Sequence, residues 1–374
     1  MDEQLKAIGD RIRSALPAGM SQGELARRVG MPADAMSRAM NAKRGFSAAE
    51  LTEIGGVLGL SLHWLVTGQP DPFALRVAAR HAFDRVTRER FNRGARDDEP
   101  IVKLVARVYG EAFPDGIPAS PSLSRDPAAV RDLLGDGFVR DFSKRIEISL
   151  GVDVVRVPRL STDYSLTIGP RNVIVLATDQ WWFRSNWSLA HELGHLVLSH
   201  HLDDAAAREE QEKEQEDAAD AFAADLLLPR DVVLKMASEA TSVEGLARFV
   251  WETGVSTPAL RNRLAYLHQD VSPDIQEALE LSTPKLLRAG AQAIGDGFAG
   301  ASAISERKQE AAVRRWPADL VAALTDQVEA GNADPQLLAD VLDIDVDEMD
   351  FPEPPSEEEA AAHYAEMISG SLGE

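Results

Sequence analysis

Cysteine is absent from the 374 residues, which excludes disulfides, thiol nucleophiles and every thiolate metal site. Any metal would have to sit on His, Asp or Glu. No uninterrupted apolar run approaches the roughly 18 residues that a bilayer span needs. The N-terminus (MDEQLKAIGDRIRSALPAG) is charged and amphipathic and lacks the apolar core of a signal peptide. A cytoplasmic location without membrane contact is therefore expected. No period recurs along the chain, which argues against a repeat array. The charge is unevenly spread along the chain. Beyond Arg315 there are 16 Asp and Glu and no Lys or Arg, and this stretch supplies most of the net charge of −22.

What is present reads as a soluble globular protein, with 44% apolar and 27% charged residues. The length suggests two or three domains. Residues 1–70 form a string of short helices. Leu5, Ile8, Ile12 and Leu16 recur at helical spacing. Ser21 and Glu24 make a capping-box pattern before Leu25, Ala26 and Val29, and Pro32 opens a helix carrying Ala35, Met36 and Met40. Ser47 and Ser61 cap two more. Residues 73–113 read as helical, and 114–127 (PDGIPASPSLSRDP) as a linker. A helix near 128–149 precedes strand-like runs at 152–157, 164–168 and 172–177, after which the chain is helical to about Gln269. The fold class is mainly α with a small β-sheet (α+β). The expected division is a helical domain over 1–70, a connector and linker over 71–127, a central domain over 128–270, and a helical acidic region over 271–374.

The sharpest signal is His191-Glu192-Leu193-Gly194-His195. On a helix the two His lie one turn apart on one face and can reach one zinc ion, while Glu192 emerges on the flank as a candidate general base. Three protein ligands and an open position make a catalytic zinc site. Ser188 is the candidate cap of this helix. The third ligand has two candidates. His201 stands ten residues after His191, but a continuing helix would carry it about 15 Å along the axis, out of reach. His200 and His201 then read as exposed residues at a helix C-terminus. Glu216, with Asp220 one turn later, is the favoured alternative: Glu216 as ligand, Asp220 supporting a zinc His. Glu214 and Asp217 are the neighbours that could be mistaken for it. The acyl-oxyanion partner is not evident, with Tyr164 and Arg261 the weak options. Trp181, Trp182 and Trp187 either wall a cleft or pack. A strand edge at 172–177 is a candidate for holding an extended substrate.

Three separated motifs occur in order: HELGH (191–195), DAADAFAADLLLP (217–229) and GVSTPALRNRL (254–264). Together they resemble ImmA/IrrE-type zinc metallopeptidases, a gluzincin-like arrangement, over about residues 130–270. In that family the glutamate ligand stands six residues before the Phe of the second motif, which lands on Glu216. Ala218, where a Glu is common, and the approach WWFRSNWS (181–188) depart from the pattern. Residues 20–68 resemble the helix-turn-helix of the Xre/Cro repressor class. On that resemblance the second helix would enter the major groove with Asp34, Ser37 and Arg38, followed by Asn41, Lys43 and Arg44, while Gln22 would hold a phosphate. A helical bundle for protein contact is the other reading of this region, since its basic excess is small. The resemblances imply a zinc endopeptidase fused to a DNA-binding domain, acting on a protein substrate such as a repressor in a stress or mobile-element response. The partners are then operator DNA and that protein, with a homodimer compatible. A regulator whose peptidase-like domain senses a ligand or partner without cleavage is the alternative.

Overall fold

The computed structural model describes residues 2–17, 19–58, 60–69, 71, 73–79, 82–83, 90–91, 95–200, 209–239, 242–291 and 301–349. The chain divides into two compact units, Met1–Leu75 and Arg76–Glu374. The described residues are mostly helical, with a small four-stranded mixed sheet, so the α+β class holds. No described helix is long and apolar enough to cross a membrane.

Among the described residues the first unit holds five helices: α1 (Asp2–Ser14), α2 (Gln22–Arg28), α3 (Ala33–Met40), α4 (Ala48–Leu58) and α5 (Leu62–Thr67). Each contributes one or two buried apolar residues to a common core, among them Ile12, Leu25, Met36, Met40, Ile54 and Leu65. Gly30, at φ +67°, makes the tight turn between α2 and α3. The two capping boxes differ. Ser21 Oγ accepts from the Glu24 N–H at 3.2 Å, but the Glu24 carboxylate bonds Arg27 and Arg28 instead of returning to the Ser21 amide. Cationic donors one turn away outcompete a neutral backbone N–H. Ser47 and Glu50 make both halves, at 3.2 and 2.8 Å.

The second unit begins with strands where the mixed-charge sequence suggested helix. β1 (Leu75–Ala79), β2 (Ala82–Phe83) and β3 (Arg90–Phe91) precede α6 (Ala95–Ala112). Pairing of β1 with a sheet edge overrides the weak local preference of residues 75–79. The expected helix near 128–149 is broken into α7 (Pro127–Leu134), a 3₁₀ turn (Phe138–Asp141) and α8 (Phe142–Leu150). Gly135 and Gly137, both at positive φ, make the break. β4 (Asp153–Val157), β5 (Tyr164–Ile168) and β6 (Arg171–Ala177) match the expected strands. The sheet order is β1-β5-β6-β4, with β6 antiparallel to β5 and parallel to β4.

Helices α9 (Trp182–Leu198) and α10 (Glu209–Leu227) follow and pack closely on one another. Then come α11 (Arg230–Glu239), α12 (Val243–Thr253), α13 (Thr257–Tyr266), α14 (Pro273–Leu279), α15 (Thr283–Gly290) and α16 (Ala301–Ala312). Their apolar faces join β4, β6 and α7 to α10 in one core. The acidic C-terminal stretch is built in as far as it is described. α17 (Ala318–Glu329) packs on α6 and α18 (Pro335–Leu342) on α17, burying Leu320, Leu324, Leu337 and Leu338. Arg315 closes the outer edge of β4: its N–H and C=O exchange hydrogen bonds with Arg156 at 2.9 and 2.7 Å, and its guanidinium pairs with Glu147.

Candidate metal centre

Helix α9 begins at Trp182, so Ser188 is a buried mid-helix residue and not a cap. The start lies earlier because Trp182 is buried in the core, edge-on to Trp251 at 5.8 Å. Arg307 of α16 stacks on the other ring of this pair, its guanidinium carbon 3.3 Å from the Trp251 centroid. Asn186 is tied to the Gly254 carbonyl at 3.0 Å. These contacts fix the N-terminal half of α9 and hence the direction in which its next two turns point.

Along those turns His191, Glu192 and His195 are buried, with exposures of 1%, 0% and 2%. Three buried polar residues on one helix require partners. His191 and His195 turn their Nε2 atoms toward each other, 3.0 Å apart. Glu216 of α10, 4% exposed, places its carboxylate oxygens 3.5 Å from His191 Nε2 and 3.3 Å from His195 Nε2. His191, His195 and Glu216 thus offer one ligand atom each within 4.8 Å of one another, all three buried. Burial opposes ionisation of Glu216, but the facing imidazoles outweigh it and hold the carboxyl well below the usual carboxylate range. The group is an anionic carboxylate and two nitrogen donors converging on one point, a donor set suited to a divalent ion such as zinc. Asp220 accepts from His191 Nδ1 at 2.8 Å. That contact fixes the tautomer with Nε2 turned inward.

The spacing is set by close packing of helices. Gly194 faces α10, and a Cβ on it would lie 3.2 Å from the Ala219 backbone and 3.3 Å from Phe222 Cβ. Further along α10, Arg131 and Arg263 donate to the carbonyls of Leu226 and Leu228 at 2.7 and 3.0 Å. Arg263 also pairs with Asp225. The third motif of the sequence therefore anchors the C-terminal end of the helix that carries Glu216. Ser256, which opens that motif's helix, caps α13 through the Ala259 N–H.

The centre opens on a cleft of about 1780 Å³. His191 and Glu216 reach its wall, while Glu192 and His195 are buried outside the lining. Trp181, Phe183 and Trp187 line it, whereas Trp182 belongs to the core. Arg261 lines it too, paired with Glu280 at 2.7 Å. Tyr164 is buried and donates to Asp98 at 2.7 Å, a structural use. The strand edge expected at 172–177 does not exist, because β6 is paired on both sides. His201 lies outside the described residues. His200 is not exposed as expected: it is half-buried, with its ring against His195. The sequence reading missed it because a continuing helix would have pointed it away.

Residues 148–265 match the model of the Peptidase_M78 family, the IrrE N-terminal-like domain. The IrrE-like stretch runs from the end of α8 almost to the end of α13 and contains β4 to β6, all three donors and Glu192. β1, α6 and everything after α13 lie outside it. No curated protein and no solved structure matches the chain.

In the first unit, Asp34, Ser37, Arg38, Asn41 and Lys43 are exposed, and Gln22 and Arg44 are half-buried. Arg38 pairs with Asp34 at 3.0 Å, and Asn41 donates to the Ser37 carbonyl at 2.8 Å. Arg44 is held inside the unit by the Ala35 carbonyl and Glu50.

Proposed function

We propose that the second unit is a zinc-dependent endopeptidase and the first a DNA-binding helix-turn-helix domain, the two acting together in transcriptional regulation. The substrate is a specific regulatory protein, such as a repressor in a stress or mobile-element response. The single observation that carries the peptidase reading is the buried convergence of His191, His195 and Glu216 beside Glu192, within the stretch that matches a peptidase family. The DNA reading is supported by two helices joined at a glycine turn, the second of which exposes Asp34, Ser37 and Arg38.

His191 and His195 would hold the ion through Nε2 and Glu216 through its carboxylate. A zinc ion held there would supply Lewis acidity, the means to polarise a carbonyl and to make a water more acidic. Glu192, next to His191 in the chain and fully buried, is the residue that would take the proton of the attacking water and, once substrate and ion bring that water to it, pass the proton to the leaving amine as the peptide C–N bond breaks. Asp220 keeps the His191 proton on Nδ1 throughout. Trp181, Phe183 and Trp187 give one part of the cleft an aromatic lining that an apolar substrate side chain could contact.

The test compares cells carrying the wild type with cells carrying Glu192→Gln by mass spectrometry of cleaved proteins, with zinc content measured on both. Equal zinc with products in the wild type alone supports the reading. Equal zinc with no product in either favours a regulator that senses a ligand or partner without proteolysis.

A further inference from the structure

The two metal-facing imidazoles are both backed on their outer nitrogens, but by different groups. His191 Nδ1 meets the carboxylate of Asp220. His195 Nδ1 meets Nδ1 of His200 at 2.8 Å, the rings edge-on with centroids 5.0 Å apart. Five residues along a continuous helix would put His200 about 140° around the axis from His195. The chain does not continue that way. Ser199 ends α9 in the left-handed region at φ +64°, and its N–H closes on the carbonyls of His195 and Leu196. A non-glycine residue in this conformation is uncommon. Its consequence here is to fold residue 200 back over His195.

We propose that His200 is a positioning residue of the metal centre, accepting the His195 Nδ1 proton and thereby directing His195 Nε2 to the ion. It has this part only if the site holds a metal as proposed above. The proton count allows one arrangement. A neutral His195 that offers its Nε2 lone pair carries its proton on Nδ1, so the facing Nδ1 of His200 is the bare acceptor and the His200 proton sits on Nε2. His200 does not reach the ion itself: its contact is with the nitrogen of His195 that faces away, and it is not part of the donor cluster. The site is therefore backed by a carboxylate on one side and by a neutral imidazole on the other.

The test uses the full chain as wild type, His200→Phe, which keeps a ring but no acceptor, and His200→Asn, which restores an acceptor. Zinc affinity is read by competition with a chromophoric chelator. His200→Phe is expected to bind zinc about 10–100-fold more weakly, and His200→Asn to recover most of that loss. Wild-type affinity in His200→Phe, or equal loss in both variants, overturns the proposal. Nitrogen-15 NMR of the zinc-loaded wild type gives a readout free of any substitution: the His200 proton is expected on Nε2, and a proton on its Nδ1 refutes the arrangement. A wild type that takes up no zinc refutes the metal reading and this role with it. Wild-type zinc binding unaffected by His200→Phe refutes this role alone.

Discussion

Gly194→Ala tests what sets the spacing of the donors. The added Cβ would stand 3.2 Å from the Ala219 Cα and carbonyl oxygen and 3.3 Å from Phe222 Cβ, against about 3.5–4.0 Å for comfortable carbon contacts. Two of the three obstacles are backbone atoms, which cannot rotate away, so α10 must retreat by a few tenths of an ångström. Overpacking of this kind costs about 1–3 kcal/mol, and the better helix propensity of alanine returns up to about 1 kcal/mol. The net loss of stability in the metal-free protein is therefore about 0–3 kcal/mol. The effect on the metal is larger in proportion. Glu216 lies on α10 three residues before Ala219, so the retreat carries its carboxylate away from His191 and His195, and metal sites tolerate only about 0.2 Å of ligand error. Zinc affinity is expected to fall about tenfold or more, equivalent to about 1.4 kcal/mol. The assay pairs chelator competition with thermal unfolding of metal-free and zinc-loaded protein. Unchanged zinc affinity together with a raised metal-free melting temperature would show that α10 yields without moving Glu216, and the packing account would be wrong.

His191→Ala and Glu216→Ala should each lose zinc binding in the same assay. If Glu216→Ala binds normally and His201→Ala does not, the ligand set is misassigned. Arg38→Ala and Asn41→Ala should weaken operator binding in a mobility-shift titration, each base contact being worth about 1–3 kcal/mol, while cleavage of a freely accessible peptide persists. Arg44→Ala should also lower the unfolding temperature of the first unit, since Arg44 joins Ala35 to Glu50. Truncation after Met349 should tighten DNA binding at low salt if the acidic stretch competes with phosphate for Arg27, Arg28 and Arg38. Equal affinity with and without residues 350–374 leaves that stretch no part in gating. Truncation after Arg315 is expected to destabilise the protein instead, because it removes the buried residues of α17 and α18.

The helical pattern of residues 1–70 and the three strands after residue 150 were legible because capping residues and apolar periodicity are local signals. The pairing of His191 with His195 and of Glu216 with Asp220 was legible for the same reason, each spanning one helical turn. The missed features depend on contacts between segments far apart in the chain. β1 is a strand only because the edge of β5 pairs with it, and β6 is an interior strand only because it comes to lie between β5 and the earlier β4. Nothing in residues 172–177 themselves announces two partners. The break in α9 at Ser199 was missed because serine gives no sign of a left-handed residue as glycine does.

The same contrast explains how the centre is kept in place. Three converging polar side chains are a poor way to fill a core, and Glu216 stays ionised there only because two imidazoles face it. The helices that carry them would separate if these contacts were all they had. Instead Leu189, Leu193, Leu196 and Val197 of α9 and Phe222, Ala223, Leu226 and Leu227 of α10 are buried in one core. Each fully buried side chain of Val, Leu or Phe size contributes about 1.5–3 kcal/mol, several times what one solvent-exposed ion pair supplies. The apolar faces thus decide where α9 and α10 lie, and the donors take positions already determined for them. A site arranged in this way is preorganised before any ion arrives, which is the condition for geometric selectivity. It also means that substitutions on the hidden faces of these two helices can disturb the centre as much as substitutions of the donors themselves.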